Sequence, residues 1–250
     1  MQNGVARQIE LCADYVNKSR RIVFLGGAGV STASGIPDFR SAGGLYGAKG
    51  ALPPEQILSH SFFTAHPEEF FAYYRENLLH LDAQPNLVHR KLAAWERAGR
   101  LLAVITQNSD GLHQKAGSRA VYELHGSVYR NRCLRCGRHY GPEAILSAPG
   151  VPHCAACGGV LKPEVTLYEE MLDAATLRGA EQAWAQADLY LIGGTSLSVY
   201  PAAGFALHCG DKPCILINRT PTEFDDLATL AIHADLGEVF SKLGGEEESE

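Results

Sequence analysis

Four cysteines form the pattern with the clearest chemistry in this sequence. Cys133 and Cys136 make one C-x-x-C pair, and Cys154 and Cys157 make a second pair after 17 intervening residues. Each pair offers two thiolates at a spacing that suits one metal ion, and two pairs complete a tetrahedral zinc site. Four thiolates leave no open position for water, so the spacing predicts a structural zinc ribbon. The alternative is a pair of redox dithiols.

Four short apolar runs each end in small or polar residues. Leu101–Ile105 is followed by Thr106–Asp110, and the other three runs end in GGAGVST, GGTSLS and NRT. Continuous apolar runs of this length are typical of strands buried on both faces of a parallel sheet. A single polar ending is most simply a turn. Because the carboxyl ends of parallel strands lie at one edge, four such endings predict a shared ligand site.

The loop after the first of these runs has residues that suit a phosphate group. Gly27 and Gly29 allow close approach of the backbone, and free N–H groups at a helix start favour phosphate oxygens. Thr32 stands where the dinucleotide fingerprint would have its third glycine, and no P-loop Gly-Lys-Ser/Thr follows. From these residues alone, phosphate binding and a tight structural turn are equally supported.

His125 is the histidine whose position indicates chemistry. It lies between the end of the predicted sheet and the cysteine ribbon, directly before Gly126. A lone histidine is more often structural than catalytic. The junction between a sheet edge and a metal-stiffened module makes His125 a candidate for proton transfer.

The elements that must position these residues alternate between helix and strand. Apolar periodicity predicts helices near residues 5–19, 67–81, 86–99, 174–187 and 202–210, with short apolar strands between them. This order predicts an α/β fold with a parallel sheet. The 250 residues, of which 46% are hydrophobic and 20% charged, suit one domain with a small inserted module.

Composition excludes several other classes of protein. A formal net charge of −6 gives no reason to expect binding to nucleic acid. No apolar run approaches the length of a membrane span and the N-terminus does not resemble a signal, so we expect a cytoplasmic protein. Seven cysteines in such a chain argue against disulfides, and the scattered Cys12, Cys209 and Cys214 are predicted core residues.

In combination, the motifs resemble those of the sirtuins, the NAD-dependent protein lysine deacylases, and are most similar to the compact bacterial deacetylases. The resemblance covers about Arg21 to Leu243 and rests on GAGVSTASGIPDFRS, TQNSDGLH, LHGS, the four cysteines, GGTSLSVYPAAG and INRTPT. It implies a Rossmann-like parallel sheet core with an inserted small zinc-ribbon and helical domain. Within a single sirtuin-type domain of residues 1–250, the implied parts are a core at about 1–40, 86–125 and 172–243, a helical module at about 41–85, a zinc ribbon at about 126–164 and a disordered tail at 244–250.

The resemblance also implies the cosubstrate and the site residues. NAD and an acyl-lysine peptide would share one cleft, zinc would be structural, and His125, the general base, and Asn108 would be catalytic. The peptide would pair as a strand with Val165–Glu169, contacting Val165, Leu167 and Tyr168. The implied NAD-binding residues are Gly27, Ala28, Gly29, Thr32, Asp38, Phe39, Arg40, Gln107, Asn108, Ser109, Asp110, His125, Gly194, Thr195, Ser196, Asn218, Arg219, Asp235 and Leu236.

The implied reaction removes an acetyl group, or a longer apolar acyl group, from lysine and gives nicotinamide and O-acetyl-ADP-ribose. Relatives that remove succinyl carry a Tyr-x-x-Arg pair, whereas the matching register here holds Phe71 and Tyr74 without an arginine. Two alternatives remain open: a mono-ADP-ribosyltransferase, and a non-catalytic NAD-binding sensor. We expect a monomer whose partners are acetylated proteins or peptides, with no nucleic acid and no membrane.

Two departures from the family pattern bear on specificity. Ser109 stands where the family usually has an isoleucine that packs on the nicotinamide, so that contact is expected to change. Tyr168-Glu169-Glu170 stands where Phe-Gly-Glu is usual. The additional acid predicts a preference for basic sequences around the substrate lysine.

Overall fold

The computed structural model describes residues 2–38, 44 and 52–244. The strands in these ranges are β1 (Ile22–Gly26), β2 (Leu101–Thr106), β3 (Val121–Glu123), β4 (Gly126–Cys133), β5 (His139–Tyr140), β6 (Leu161–Val165), β7 (Leu189–Gly193), β8 (Cys214–Asn218) and β9 (Leu230–His233). The helices are α1 (Gln2–Lys18), α2 (Pro54–Ile57), α3 (His60–Ala65), α4 (Pro67–Asn77), α5 (Leu87–Arg97), α6 (Leu112–Lys115), α7 (Glu143–Leu146), α8 (Ala174–Gln186), α9 (Ala202–Ala206) and α10 (Leu236–Lys242).

Six strands form the main sheet in the order β3-β2-β1-β7-β8-β9, and every pairing is parallel. β1, β7 and β8 are buried along their whole length because helices cover both faces. Phe24, Trp95 and Phe240 belong to the core on the face of α1, α5 and α10. Trp184 and Tyr190 belong to the core on the face of α8 and α9. The predicted parallel α/β fold is confirmed.

The strand order places a crevice beside β1. After β1 the chain continues to β2 and β3 on one side, and β7, β8 and β9 extend the sheet on the other side. Gly26 at the end of β1 pairs in register with Gly193 at the end of β7. The strand order therefore reverses between β1 and β7. In open α/β sheets, ligands bind at such a point, outside the carboxyl ends of the strands.

A second lobe carries the cysteines and the short helices. Its antiparallel sheet has the order β5-β4-β6. Phe63, Phe71 and Tyr74 from α3 and α4 share one hydrophobic cluster with Val128 of β4 and Leu161 of β6. The helices and the cysteine ribbon are therefore packed on a common core.

Several element ends differ from the sequence predictions. α4 ends at Asn77 rather than near residue 81, and α9 ends at Ala206 rather than near residue 210. In α9 the chain reaches Gly210 with φ of 58°, a left-handed conformation that does not continue a helix. The glycine-rich loop after Asp38 falls largely on residues outside the described ranges, as do Phe39, Arg40 and the tail from residue 245.

Candidate active site

A cavity of about 630 Å³ lies at the carboxyl edge of the main sheet, between the sheet and the second lobe. Residues of both lobes contribute to its walls. Among the described residues, all predicted NAD and peptide contacts line it: Gly27, Ala28, Gly29, Thr32, Asp38, Gln107, Asn108, Ser109, Asp110, His125, Val165, Leu167, Tyr168, Gly194, Thr195, Ser196, Asn218, Arg219, Asp235 and Leu236. Phe39 and Arg40 lie outside the described residues.

The glycine loops after β1 and β7 pack backbone against backbone. The Gly29 amide donates to the Gly194 carbonyl at 2.8 Å. A Cβ atom on Gly27 would lie 2.7 Å from the Thr195 Cβ atom, and one on Gly194 would lie 2.6 Å from the Val30 nitrogen. Gly194 also has φ of 62°. The close contact requires glycine and leaves the first turn after β1 open toward the cleft.

Ser31 joins two of the predicted residues in a hydrogen-bond network that lines the cavity. Its hydroxyl donates to Asp110 Oδ2 at 2.6 Å and accepts from Asn108 Nδ2 at 3.0 Å. Asp110 Oδ1 accepts the Leu112 amide at 2.9 Å at the start of α6. Ser31 is a cleft residue that no pattern in the sequence indicates. Its partners are more than 70 residues away in the chain, and a serine in a small-residue loop carries no local signal of its own.

Asn218 connects the ends of β7 and β8. Its Oδ1 accepts the Thr195 amide at 3.0 Å, and its Nδ2 donates to the Thr195 carbonyl at 2.6 Å. Gln107, after β2, donates from Nε2 to the Thr195 hydroxyl at 2.8 Å. Side-chain hydrogen bonds thus connect the residues that follow β2 and β7 with the last residue of β8.

Asp235 and Arg219 form the far edge of the cleft. Asp235 caps α10 by accepting the Glu238 amide at 3.0 Å, and Arg219 Nη2 donates to its other oxygen at 2.6 Å. Burial opposes ionisation of Asp235, but the Arg219 and Glu238 bonds outweigh burial and lower its pKa. Leu236, next to it, is buried against Gly193.

His125 lies where the main sheet meets the second lobe. Its Nδ1 atom is 2.9 Å from the Gln107 carbonyl oxygen. Since a carbonyl only accepts, Nδ1 carries the proton and the neutral ring has a free lone pair on Nε2. Burial lowers the pKa of His125 below 6.5, partly offset by the Gln107 bond. The ring is therefore neutral at pH 7 and able to accept a proton.

The segment after β6 crosses the cleft to the helical part of the second lobe. The Thr166 amide donates to the His125 carbonyl at 2.9 Å. Tyr168 then donates its amide to the Leu58 carbonyl and accepts the His60 amide, both at 3.0 Å. β6 itself ends at Val165, so residues 166–169 are not part of a regular strand.

The four cysteines come together in the ribbon, with their sulfur atoms within 4.8 Å of one another. The Cys133–Cys157 and Cys136–Cys154 sulfur distances are 3.5 and 3.7 Å. Tetrahedral Zn–S bonds of about 2.3 Å place sulfurs ~3.8 Å apart, which fits this set. The Tyr140 hydroxyl lies 3.0 Å from Cys154 Sγ, and this bond lowers the pKa of the Cys154 thiol to about 6. The donor set fits a structural zinc ion.

Two buried histidines lie behind Asp110. The rings of His89 and His113 have centroids 4.6 Å apart, and both residues are almost fully buried. Among the described residues, His89 Nε2 and both ring nitrogens of His113 have no hydrogen-bond partner. Burial lowers the pKa of His89 to about 4 and that of His113 well below its usual value, so both rings are neutral.

The sequence comparison identifies the family. A sequence profile of the Sir2 family matches residues 27–201, which include the glycine loops, His125 and the cysteines. The chain belongs to the Sir2 family. The NAD-dependent protein deacetylase of Cutibacterium acnes is 54% identical over 236 residues, covering 94% of this chain and 96% of the relative. That of Clostridium perfringens is 50% identical, covering 94% and 98%.

Solved Sir2 structures have the same fold as this family member. A Sir2 with p53 peptide and NAD⁺ is 40% identical, with a TM-score of 0.84 and coverage of 94% of this chain and 96% of that chain. A Sir2 variant with deacetylated p53 peptide and 3′-O-acetyl ADP ribose has a TM-score of 0.87 at 39% identity and the same coverage. The family and the fold expected from the sequence motifs are confirmed.

Proposed function

We propose that this chain is an NAD-dependent protein lysine deacetylase that releases nicotinamide and forms O-acetyl-ADP-ribose. Its relatives at 54% and 50% identity are named NAD-dependent protein deacetylases. Similar solved structures hold NAD⁺, acetylated peptide or acetyl ADP ribose. The observation that carries the proposal is His125, held with Nε2 free to accept a proton in a cleft that reaches from the glycine loops to the second lobe.

The phosphate and adenosine end of NAD is assigned to the loops after β1, β7 and β8. The turn at Ala28–Thr32 would bind the pyrophosphate through backbone amides. Gly27 and Gly29 pack closely on the loop after β7, and the turn lines the cavity beside this contact. Thr195 and Ser196 would contact phosphate and ribose, and Asn218 the adenosine ribose. Asp235 and Leu236 would lie at the adenine edge, with Arg219 holding the Asp235 carboxylate in place.

The nicotinamide end is assigned to the residues after β2. Gln107 and Asn108 would hold the nicotinamide ribose, and Asp110 the carboxamide. NAD supplies the ADP-ribosyl group that accepts the acetyl. His125 would take a proton from a ribose hydroxyl through Nε2, because Nδ1 is committed to the Gln107 carbonyl. Ser109 offers this region a small polar side chain in place of isoleucine.

The acyl group favoured by the cleft is acetyl or a longer apolar chain. Phe71 and Tyr74 are fully buried in the core of the second lobe. Arg75, the nearest cation on α4, donates to the backbone carbonyls of Ile145 and Gly150. Arg75 is therefore hydrogen-bonded to the ribbon. It does not serve as a partner for the distal carboxylate of a succinyl group.

None of the helices in ranges 2–38 and 52–244 is long and apolar enough to cross a membrane. A cytoplasmic location and a monomeric state remain predictions. The zinc ion would stabilise the second lobe without taking part in the reaction, since all four ligands would be protein thiolates.

The test is incubation of purified protein with an acetyl-lysine peptide, with and without NAD, followed by mass spectrometry. We expect loss of the acetyl mass only with NAD, and a decrease of at least about 100-fold in His125→Ala, the usual effect of removing a general base. His208→Ala is the matched control, since the His208 side chain is exposed and its ring lies 2.7 Å from the Gly204 carbonyl of α9, away from the cleft residues.

Two results would contradict the proposal. An untouched peptide together with ADP-ribose added to protein would make this chain a mono-ADP-ribosyltransferase. NAD binding without turnover of either kind would make it a non-catalytic sensor.

A further inference from the structure

The lip of the cleft, Tyr168–Leu172, carries two adjacent acids. Tyr168, Glu169, Glu170 and Leu172 all line the cavity. From sequence, the acids predict a site for basic residues of the substrate. Their contacts in the fold point to a different substrate class.

Glu170 is bonded within the protein through both carboxylate oxygens. Oε2 accepts from Lys162 Nζ at 2.9 Å and from the Leu167 amide at 3.0 Å. Oε1 lies 2.9 Å from His60 Nδ1. Burial opposes the ionised form, but the bonds from His60, Leu167 and Lys162 outweigh it and lower the pKa of Glu170. The negative charge of Glu170 is therefore balanced by Lys162 within the second lobe.

Glu169 is bonded to the start of α3. It has φ of 75°, a left-handed conformation that is unfavourable for a residue with a Cβ atom. Its carboxylate accepts both the Ser61 amide and the Ser61 hydroxyl at 2.9 Å. These two bonds offset the strain and direct the carboxylate to the helical part of the lobe. Both acids thus attach the lip to the protein instead of extending toward a ligand.

The lip instead presents apolar side chains to solvent. Met171 is 93% exposed and Tyr168 38% exposed. Tyr200, which also lines the cavity, is 66% exposed. Large apolar side chains at the mouth of a ligand cleft are typical of a binding surface. Tyrosine and methionine give large contact areas that adapt to an apolar partner.

We propose that this lip selects substrates with an apolar residue next to the acyl-lysine. The inference rests on the proposed deacetylase function, because the occupant is the peptide segment that flanks the lysine in the cleft. Glu170 and Leu172, the chain neighbours of Met171, both line the cavity. We therefore expect the peptide segment that flanks an inserted lysine to contact Met171. Burying Met171 against an apolar residue removes both side chains from water.

The net charge of −6 acts in the opposite direction by attracting basic peptides. This attraction is screened over about 8 Å at 0.15 M salt, whereas apolar contact is not weakened by salt. Measurements at 0.15 M and at higher ionic strength separate the two effects.

The experiment compares acetyl-lysine peptides that differ only in one flanking residue, Leu, Ala, Arg or Glu, before or after the lysine. We expect kcat/KM for the Leu peptide to exceed that for the Arg and Ala peptides by about fivefold or more, in line with burial of one apolar side chain. Met171→Ser should lower the Leu preference about threefold or more without changing the Ala peptide. Leu146→Ser is the control, because Leu146 is an exposed apolar residue of the ribbon.

Glu169→Gln provides the second discriminating variant, since the amide oxygen can still accept from Ser61. The ratio of Leu to Arg rates should stay constant. A preference for Arg peptides that this variant removes would overturn the inference, as would equal rates for all flanking residues. Fluorescence polarisation with labelled peptides tests the same order of affinities without turnover. Absence of deacetylation with every peptide would count against the proposed function, and the binding order would still test the lip.

Discussion

The hydrogen bond from His125 Nδ1 to the Gln107 carbonyl determines which nitrogen faces the cleft. A histidine that donates through Nδ1 has its basic lone pair on Nε2, and burial keeps that ring unprotonated near neutral pH. The same carbonyl that orients the ring belongs to Gln107, whose side chain bonds Thr195. Gln107 therefore contacts both His125, the proposed base, and Thr195 in the wall of the cleft.

This arrangement predicts the pH dependence of the reaction. As the proposed base, His125 must be unprotonated, so we expect activity to fall as pH decreases through the pKa of His125. Because burial lowers that pKa, the acid limb of kcat/KM should have its midpoint below 6.5. The measurement is kcat/KM for NAD between pH 4.5 and 9, with protein stability monitored at each pH. A midpoint at or above 6.5 would contradict the prediction.

Site residues that stand out by type can be predicted from the sequence, whereas residues that act only through distant partners cannot. His125 and the cysteines were selected because their chemistry is specific and their positions are distinctive. Ser31 and Lys162 were not selected, although each holds a carboxylate at the cleft. Ser31 meets Asp110 only through folding, at a separation of 79 residues. No local pattern in the sequence contains that contact.

At the scale of elements, the cleft depends on how closely two strand ends approach. The loops after β1 and β7 meet through Gly29 and Gly194, with a direct amide-to-carbonyl bond. A Cβ atom on Gly194 would lie within 2.7 Å of the backbone of both Gly29 and Val30. Neither backbone segment can move without moving its strand.

Gly194→Ala tests this contact, with Gly210→Ala as the matched control. Both glycines have left-handed φ values, 62° and 58°, so both substitutions cost about 1 kcal/mol of backbone strain. Only Gly194 has neighbours within 4 Å of the added Cβ atom. We expect Gly194→Ala to raise KM for NAD about tenfold or more and to lose additional stability. Equal effects of the two variants in NAD kinetics and thermal unfolding would contradict the prediction.

The strands of the main sheet were predictable because their apolar runs are continuous and short. Leu101–Thr106 and Cys214–Asn218 coincide with the predicted runs, and Cys12, Cys209 and Cys214 are buried as expected. The predicted end of α9 was wrong because Leu207 and Cys209, after Ala206, continue the apolar pattern past the point where the helix ends. The backbone hydrogen bonds of Tyr168 to Leu58 and His60 were not predictable. Pairing between two segments that are distant in the chain leaves no periodic pattern in either sequence.

At the scale of the whole molecule, the second lobe has one core shared by its two parts. Phe71 and Tyr74 from α4 belong to the same cluster as Cys133, Cys154 and Leu161 of the ribbon. The sequence suggested a helical module and a ribbon as separate pieces, because they are interrupted by α5, β2 and β3. In the fold they are a single packing unit that forms one wall of the cleft.

Removing zinc should therefore affect both parts of the lobe. We expect about one zinc per chain by elemental analysis, and treatment with a chelator should lower the melting temperature and abolish deacetylation. Re-addition of zinc should restore both. The lobe also contributes Val165, Leu167 and Tyr168 to the cleft. Unchanged activity in protein shown to be free of metal would contradict this account.

The buried pair of His89 and His113 makes the stability of the folded protein depend on pH. An imidazole in the unfolded chain binds a proton near pH 6.5, whereas His89 in the folded protein does so near 4. Between these values unfolding takes up a proton, so the free energy of unfolding falls as pH decreases from 6.5 toward 4. Acidification therefore favours conformations in which the core around His89 and His113 is open and these side chains can bind protons. Acid therefore acts on the proposed base and on the buried pair in different ways. His125 binds a proton in the folded protein, whereas His89 and His113 favour the unfolded chain, in which they bind protons.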